Sequence, residues 1–218
     1  PVPSRARLLT TVACGPRGEP AYALEGSVFV AGAAIQWLRD GLGILRAAAE
    51  SERIARSVPD AGGTYLVPAF AGLGAPHWRP DVRGLWCGLT RGTTRAHLVR
   101  AALESIAYQA CDVVDVMRRE SKTRIRSLRV DGGATRNDFL MQFQADLLGI
   151  PIERPAMVES TALGAALLAG IGAGIWERRE EAPLAVARAK RFRPRMGARE
   201  RARLRVEWEA AVALLTKS

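Results

Sequence analysis

What the sequence has little of narrows its function before any motif does. Its 218 residues include three cysteines and two histidines, too few and too scattered for a metal centre or a disulfide framework. Cys14, Cys87 and Cys111 form no Cys-x-x-Cys pair and read as small, reduced hydrophobes of a cytosolic protein. Long apolar runs are missing: the longest are broken by glycine and too short to span a bilayer, and no charged-then-apolar leader opens the chain. A phosphate loop of the G-x-x-x-x-G-K-[ST] kind is absent, and Gly72-Leu-Gly74 lacks the rest of a dinucleotide fingerprint. No Ser/His/acid arrangement stands out.

Lysine is scarce as well. It occurs only at Lys122, Lys190 and Lys217, so the net charge of +10 rests on arginine. That excess is concentrated between Arg188 and Arg205, while the middle of the chain mixes Asp and Glu among its Arg. A basic run of this kind raises nucleic acid or an anionic surface as a partner. With no aromatic interleaving beyond Phe192 and Trp208, the simpler expectation is a solvated face and no nucleic-acid partner. What is present is a globular composition, 48% apolar and 25% charged, which excludes a disordered chain. A chain of this length corresponds to one or two ordinary domains and buries roughly 70% of its unfolded surface.

Patterning along the chain predicts alternating strands and helices. Residues 8–13 and 21–24 read as strands joined by a turn at Cys14-Gly-Pro-Arg-Gly18. Residues 27–39 carry a helical apolar spacing, and residues 51–58 a short charged helix stopped by Pro59 and the Gly62-Gly63 pair. Strands are expected at 65–68 and 85–89, with a Gly/Pro-rich loop at 69–78 between them. Thr93 or Thr94 caps a long helix, 97–119, whose Val99, Ala102, Leu103, Ile106, Ala110, Val113 and Met117 form one core face. Then come a strand (125–130), the turn Asp131-Gly-Gly-Ala134, a helix (137–148), a strand (151–154) and an Ala/Gly-dense helix (161–175). The small residues of that last helix predict close packing on a neighbouring element. A final helix, 200–215, offers Leu204, Val206, Trp208, Val212 and Leu215 for burial. The alternation indicates an α/β fold with a partly parallel sheet.

Two places carry candidate chemistry. The Gly-Gly turn lets backbone approach a ligand, and the helix after it presents N–H groups to an anion. Asn137, one turn on from Gly133, can hydrogen-bond a base or ribose; packing explains such a turn equally well. Gly32 and Gln36 share one face of the first long helix, where Gln suits a purine edge and Gly lets a ring lie flat. Helix packing and simple solvation account for that pair too. Glu104 sits mid-helix among apolar neighbours, a place for a structurally paired carboxylate rather than a catalytic one.

Gly84-Leu-Trp-Cys-Gly88-Leu89, followed after seven residues by His97-Leu-Val-Arg-Ala-Ala-Leu-Glu104, resembles the second signature of the FGGY carbohydrate kinases. The stretches AGAAIQWLRD (31–40), VPAFAGLGAPHW (67–78), ESIAYQ (104–109) and RVDGGATRNDFLMQFQ (129–144) are similar to the family's glycerol-phosphorylating members. The resemblance runs from Leu8 to the C-terminal helix. It implies an actin-like (ribonuclease H-like) ATPase domain, a mixed sheet flanked by helices, with residues 1–182 holding ATP or ADP and an Arg-rich helical extension, 183–218, packed on the same domain. Carried over residue by residue, Gly32, Gln36, Gly133 and Asn137 become nucleotide contacts. It also implies Mg²⁺ with the ATP, a cytoplasmic location, and self-association of the full-length protein. The base, the glycerol-binding residues and the phosphate hairpin belong to a first half not represented here, so no catalytic or metal-binding residue is assigned. The Met-less start at Pro1 fits that expectation. The alternatives are the corresponding half of another FGGY sugar kinase, such as a xylulokinase, a non-catalytic scaffold that has kept the fold, or a non-catalytic Arg-rich binding module.

Overall fold

The chain opens with an antiparallel hairpin, β1 (Leu9–Cys14) and β2 (Pro20–Glu25), in which Leu9 pairs with Glu25 and Cys14 with Pro20. In the computed structural model the described residues are 4–14, 19–121, 124–157, 159–178, 181–182 and 189–217. The expected turn into β2 therefore lies largely outside them. α1 (Gly32–Asp40) follows, then α2 (Glu50–Ala55) and a second antiparallel pair, β3 (Tyr65–Val67) with β4 (Leu85–Cys87). α3 (Arg95–Ser121) leads to β5 (Leu128–Arg129), a 3-10 turn (Gly133–Arg136), α4 (Asp138–Leu148) and β6 (Ile152–Arg154). α5 (Ser160–Gly172), β7 (Lys190–Phe192) and α6 (Ala198–Thr216) complete the order. β6 is the centre of a mixed sheet, parallel to β5 and antiparallel to β7.

α3 is the axis of the core. Residues 101–108 are buried on every side rather than along the single face that the apolar spacing predicts, and Ala110 and Met117 are only half-buried. The reason is that other elements pack around it: α1, α2 and β3 on some faces, α4 on another. Tyr108, at its middle, stacks on Trp208 of α6 with ring centroids 5.0 Å apart and meets Phe143 of α4 edge-on at 5.6 Å. Trp208 Nε1 donates to Asp112 at 2.7 Å, so the indole is satisfied at its polar end as well as packed. On α6 the buried positions are Trp208, Ala211 and Val212; Val206 lies on the opposite face and is exposed, against expectation.

Several boundaries move for identifiable reasons. The helix expected from residue 27 begins at Gly32, because the chain before it is committed to tertiary bonds: Ser27 O accepts from Ala75 N, and Val30 O from Gln109 Nε2. α2 stops at Ala55 rather than 58, and Val58 O accepts from the Arg100 guanidinium at 2.6 Å. β5 has two residues where six are expected, although the Leu128 and Val130 N–H groups both reach across to the segment of β6. α4 is the best matched, with Asn137 as N-cap to Leu140 N and Gly149 closing it in the left-handed conformation, φ 65°.

The Ala/Gly-dense helix corrects the packing expectation. α5 is largely exposed, with Gly170 its one buried residue among those described. The close approach that its small residues do allow is local, Gly170 against the Trp176 ring just beyond the helix. No helix among the described residues is long and apolar enough to cross a membrane. Cys111 is buried and Cys87 half-buried, both as free thiols, and burial pushes the Cys111 thiol up to about 12.

Candidate functional site

The site forms where α1, α2, α3 and the loop entering α4 converge. Ala34, Ile35 and Leu38 turn one face of α1 into the core, which leaves Gly32 and Gln36 on its rim. Facing them is the Gly-Gly turn. Gly132 has φ 83°, a conformation that glycine adopts without strain, and it directs the chain into the short 3-10 turn. A Cβ at Gly32 would stand 3.8 Å from the Ala134 side chain, whereas a Cβ at Gly133 would meet nothing within 4 Å. The two glycines therefore border a slot.

That slot is a cavity of about 480 Å³. Gly32, Gln36, Gly133 and Asn137 all line it. Its floor is apolar, from Ile35 of α1, Leu103 and Ile106 of α3 and Leu140 of α4. Small apolar lining with a few converging polar groups, at this size, is what a small-molecule site needs.

The polar groups divide into fixed and free. Asn137 Oδ1 accepts from Leu140 N at 2.9 Å, and its Nδ2 donates to Ser51 Oγ at 3.2 Å; Ser51 Oγ donates in turn to Ala48 O. Asn137 is thus held in place, with one N–H and one lone pair left over for a ligand. Glu52 Oε2 accepts from Asp138 N at 2.9 Å while Oε1 accepts from Arg56 Nε at 3.0 Å. This corrects the expectation that the helix after the turn offers free N–H groups to an anion. The Glu52 carboxylate takes Asp138 N and the Asn137 cap takes Leu140 N, so two of that helix's leading N–H groups are already bonded within the chain. The side chains of Gln36 and Arg136 make no hydrogen bond or ion pair among the described residues. Ser51, Glu52 and Arg136 were missed by sequence reasoning. Their contacts cross 86 positions of sequence for Ser51 and Glu52, and nothing local announces them.

A second concavity, about 610 Å³, is lined by the loop after α2 together with residues of α3, α4 and α6. Its guanidinium groups are already paired: Arg100 with Glu104 at 2.7 Å, Arg203 with Glu200 and Glu207, and Arg56 with Glu52. Burial pushes the Glu104 carboxyl up to about 7, against the opposing hydrogen bond from Arg100. Glu104 is thus the structurally paired carboxylate that its position predicts. Some arginines of the C-terminal run are held in the same way: Arg205 reaches Asp112 and Asp115, and Arg201 reaches Asp146 O.

Residues 1–173 match the model of the FGGY family of carbohydrate kinases, C-terminal domain. This chain belongs to that family. Over 210 residues it is 57% identical to glycerol kinase 2 of Thermotoga maritima, covering 96% of this chain and 42% of the relative. Glycerol kinase of Solidesulfovibrio magneticus is 55% identical over 213 residues, 98% of this chain and 43% of the relative. Among solved structures, Plasmodium falciparum glycerol kinase with ADP superposes with a TM-score of 0.87 at 36% identity, over 98% of this chain and 43% of that one. A xylulose kinase from Rhodospirillum rubrum gives 0.73 at 30% identity, over 88% of this chain and 40% of that one. The FGGY chain thus spans well under half the length of the relatives it matches. Its mixed sheet and surrounding helices are the actin-like, ribonuclease H-like ATPase fold expected of the family.

Proposed function

We propose that this FGGY chain binds the adenosine end of ATP and ADP for a glycerol kinase. The observation that carries the reading is the single cavity that gathers Gly32, Gln36, Gly133 and Asn137 from two separate parts of the chain. Its apolar floor suits the faces of a purine, and the free Gln36 amide suits the purine's edge, which carries both donors and acceptors. The relatives at 55–57% identity are glycerol kinases, and the superposing glycerol kinase structure contains ADP. Xylulose kinases, at 23–30% identity, fall behind as the alternative.

In the reaction so assigned, the γ-phosphoryl group passes from ATP to a glycerol hydroxyl, giving ADP and glycerol 3-phosphate. The proton of that hydroxyl goes to a base that this chain does not supply. What the residues here do is hold and orient the nucleoside, the positioning share of phosphoryl-transfer catalysis. Mg²⁺ accompanies ATP in such chemistry, but the cavity does not fit a metal: its one carboxylate, Glu52, is committed to Arg56 and Asp138 N. No step is assigned to the metal here. Glycerol binding, self-association and a cytoplasmic location belong to the whole protein under the same reading. Titration of the chain with ADP tests it: saturable binding weakened by Gln36→Ala is expected, and an unchanged affinity in that variant would argue against the assigned edge contact.

A further inference from the structure

Among the polar groups of the cavity, one is able to tell one purine from another. Gln36 carries a free amide that rotates to present either its oxygen or its nitrogen, so it accepts a base edge of either polarity. Asn137 has both an N–H and a lone pair to offer, and Ser51, whose hydroxyl hydrogen goes to Ala48 O, is almost wholly buried. Arg136 stands on an exposed rim at the end of a long, flexible side chain. Glu52 differs from all of these. Its carboxylate accepts only, and it is held at both oxygens, Oε1 by Arg56 and Oε2 by Asp138 N, so it cannot turn away from what faces it. Oε1 also lies 3.0 Å from Arg56 Nη2, so the spare lone pair is on Oε2, and the side chain is roughly two-thirds shielded from solvent.

We propose that Glu52 sets the base preference of the cavity, favouring a purine that presents an exocyclic amino group over one that presents a carbonyl there. This rests on the nucleotide reading above and extends it to specificity. An amino group donates to the spare lone pair of the carboxylate. A carbonyl at the same place sets acceptor against acceptor beside a partly shielded carboxylate, which leaves the carbonyl without a partner. The expected preference is about tenfold or more in affinity.

Inosine diphosphate is the probe: it exchanges the 6-amino group of ADP for a carbonyl, turns N1 from an acceptor into an N–H donor, and keeps the ribose and phosphates. Calorimetric titration of the 218-residue chain is expected to give a Kd for ADP at least about tenfold below that for inosine diphosphate. In Glu52→Gln, whose amide supplies a donor, the ratio is expected to fall toward one. Glu52 also closes the first turn of α4, so the variant loses some affinity for both ligands; the ratio is the readout that a purely structural role would not move. An unchanged ratio in Glu52→Gln, or equal wild-type affinities for the two nucleotides, would overturn this inference and leave the nucleotide reading standing. Wild-type binding to neither nucleotide would overturn the nucleotide reading, and this inference with it.

Discussion

Glu104→Gln isolates the largest unfavourable charge in the core. Glu104 is 5% exposed on α3, its carboxyl raised from 4.5 to about 7 by burial, with Arg100 opposing through a 2.7 Å ion pair. A group whose folded pKa lies above its unfolded value contributes stability that is fully present below the unfolded pKa and is lost as pH rises through the folded one. The two values differ by enough to be worth about 3 kcal/mol, lost between about pH 4.5 and pH 7. Exposed acids whose pKa values are lowered, such as Asp81 beside Arg79, push the other way, so the wild type alone is not diagnostic. The difference between wild type and Glu104→Gln is diagnostic, because those groups cancel. Urea unfolding followed by tryptophan fluorescence at a series of pH values measures it, with Trp208 reporting from its stack on Tyr108 one turn away. The wild type is expected to gain on the variant by about 3 kcal/mol as pH falls from about 8 to about 4. A flat difference would refute the burial argument. A difference of opposite sign would show that the Arg100 pair outweighs desolvation.

Trp208→Ala is expected to cost about 3–5 kcal/mol, and to lower the midpoint of a single unfolding transition if α6 folds with the rest. Two separate transitions by calorimetry would instead make the C-terminal segment its own unit. Asn137→Ala removes the cap of α4 and the tie to Ser51, and is expected to cost about 1 kcal/mol in stability while weakening ADP binding. Ser51→Ala breaks the tie but leaves the cap, so the affinity lost in both variants reports the positioning of Asn137.

Legibility in the sequence followed how local the determining physics was. α4 was readable end to end, because its cap, its apolar content and its terminal Gly149 all lie within the helix or next to it. The Gly-Gly turn was readable for the same reason, since a positive φ at Gly132 selects glycine whatever surrounds it. The start of α1 was not, because the bonds that keep residues 27–30 extended come from Ala75 and Gln109, far along the chain. The exposure of α5 and of Val206 was hidden too: composition shows that a residue is apolar, not what stands opposite it. Within the site, local chemistry picked out both pairs, Gly32 with Gln36 and Gly133 with Asn137, but gave no sign that they share a cavity. Family resemblance supplied that link. Neither route found Ser51 and Glu52, whose part depends on α2 packing against the entry to α4.

The most direct test of the central claim is a calorimetric titration of ADP into the 218-residue chain and into Gly133→Val. At Gly133 a Cβ meets nothing within 4 Å and the backbone φ is ordinary, so the variant is expected to fold as the wild type does while its side chain enters the slot. The account predicts saturable ADP binding by the wild type and its loss in the variant, with circular dichroism and unfolding midpoint unchanged. No binding by the wild type, or equal affinity in a folded Gly133→Val, would contradict it.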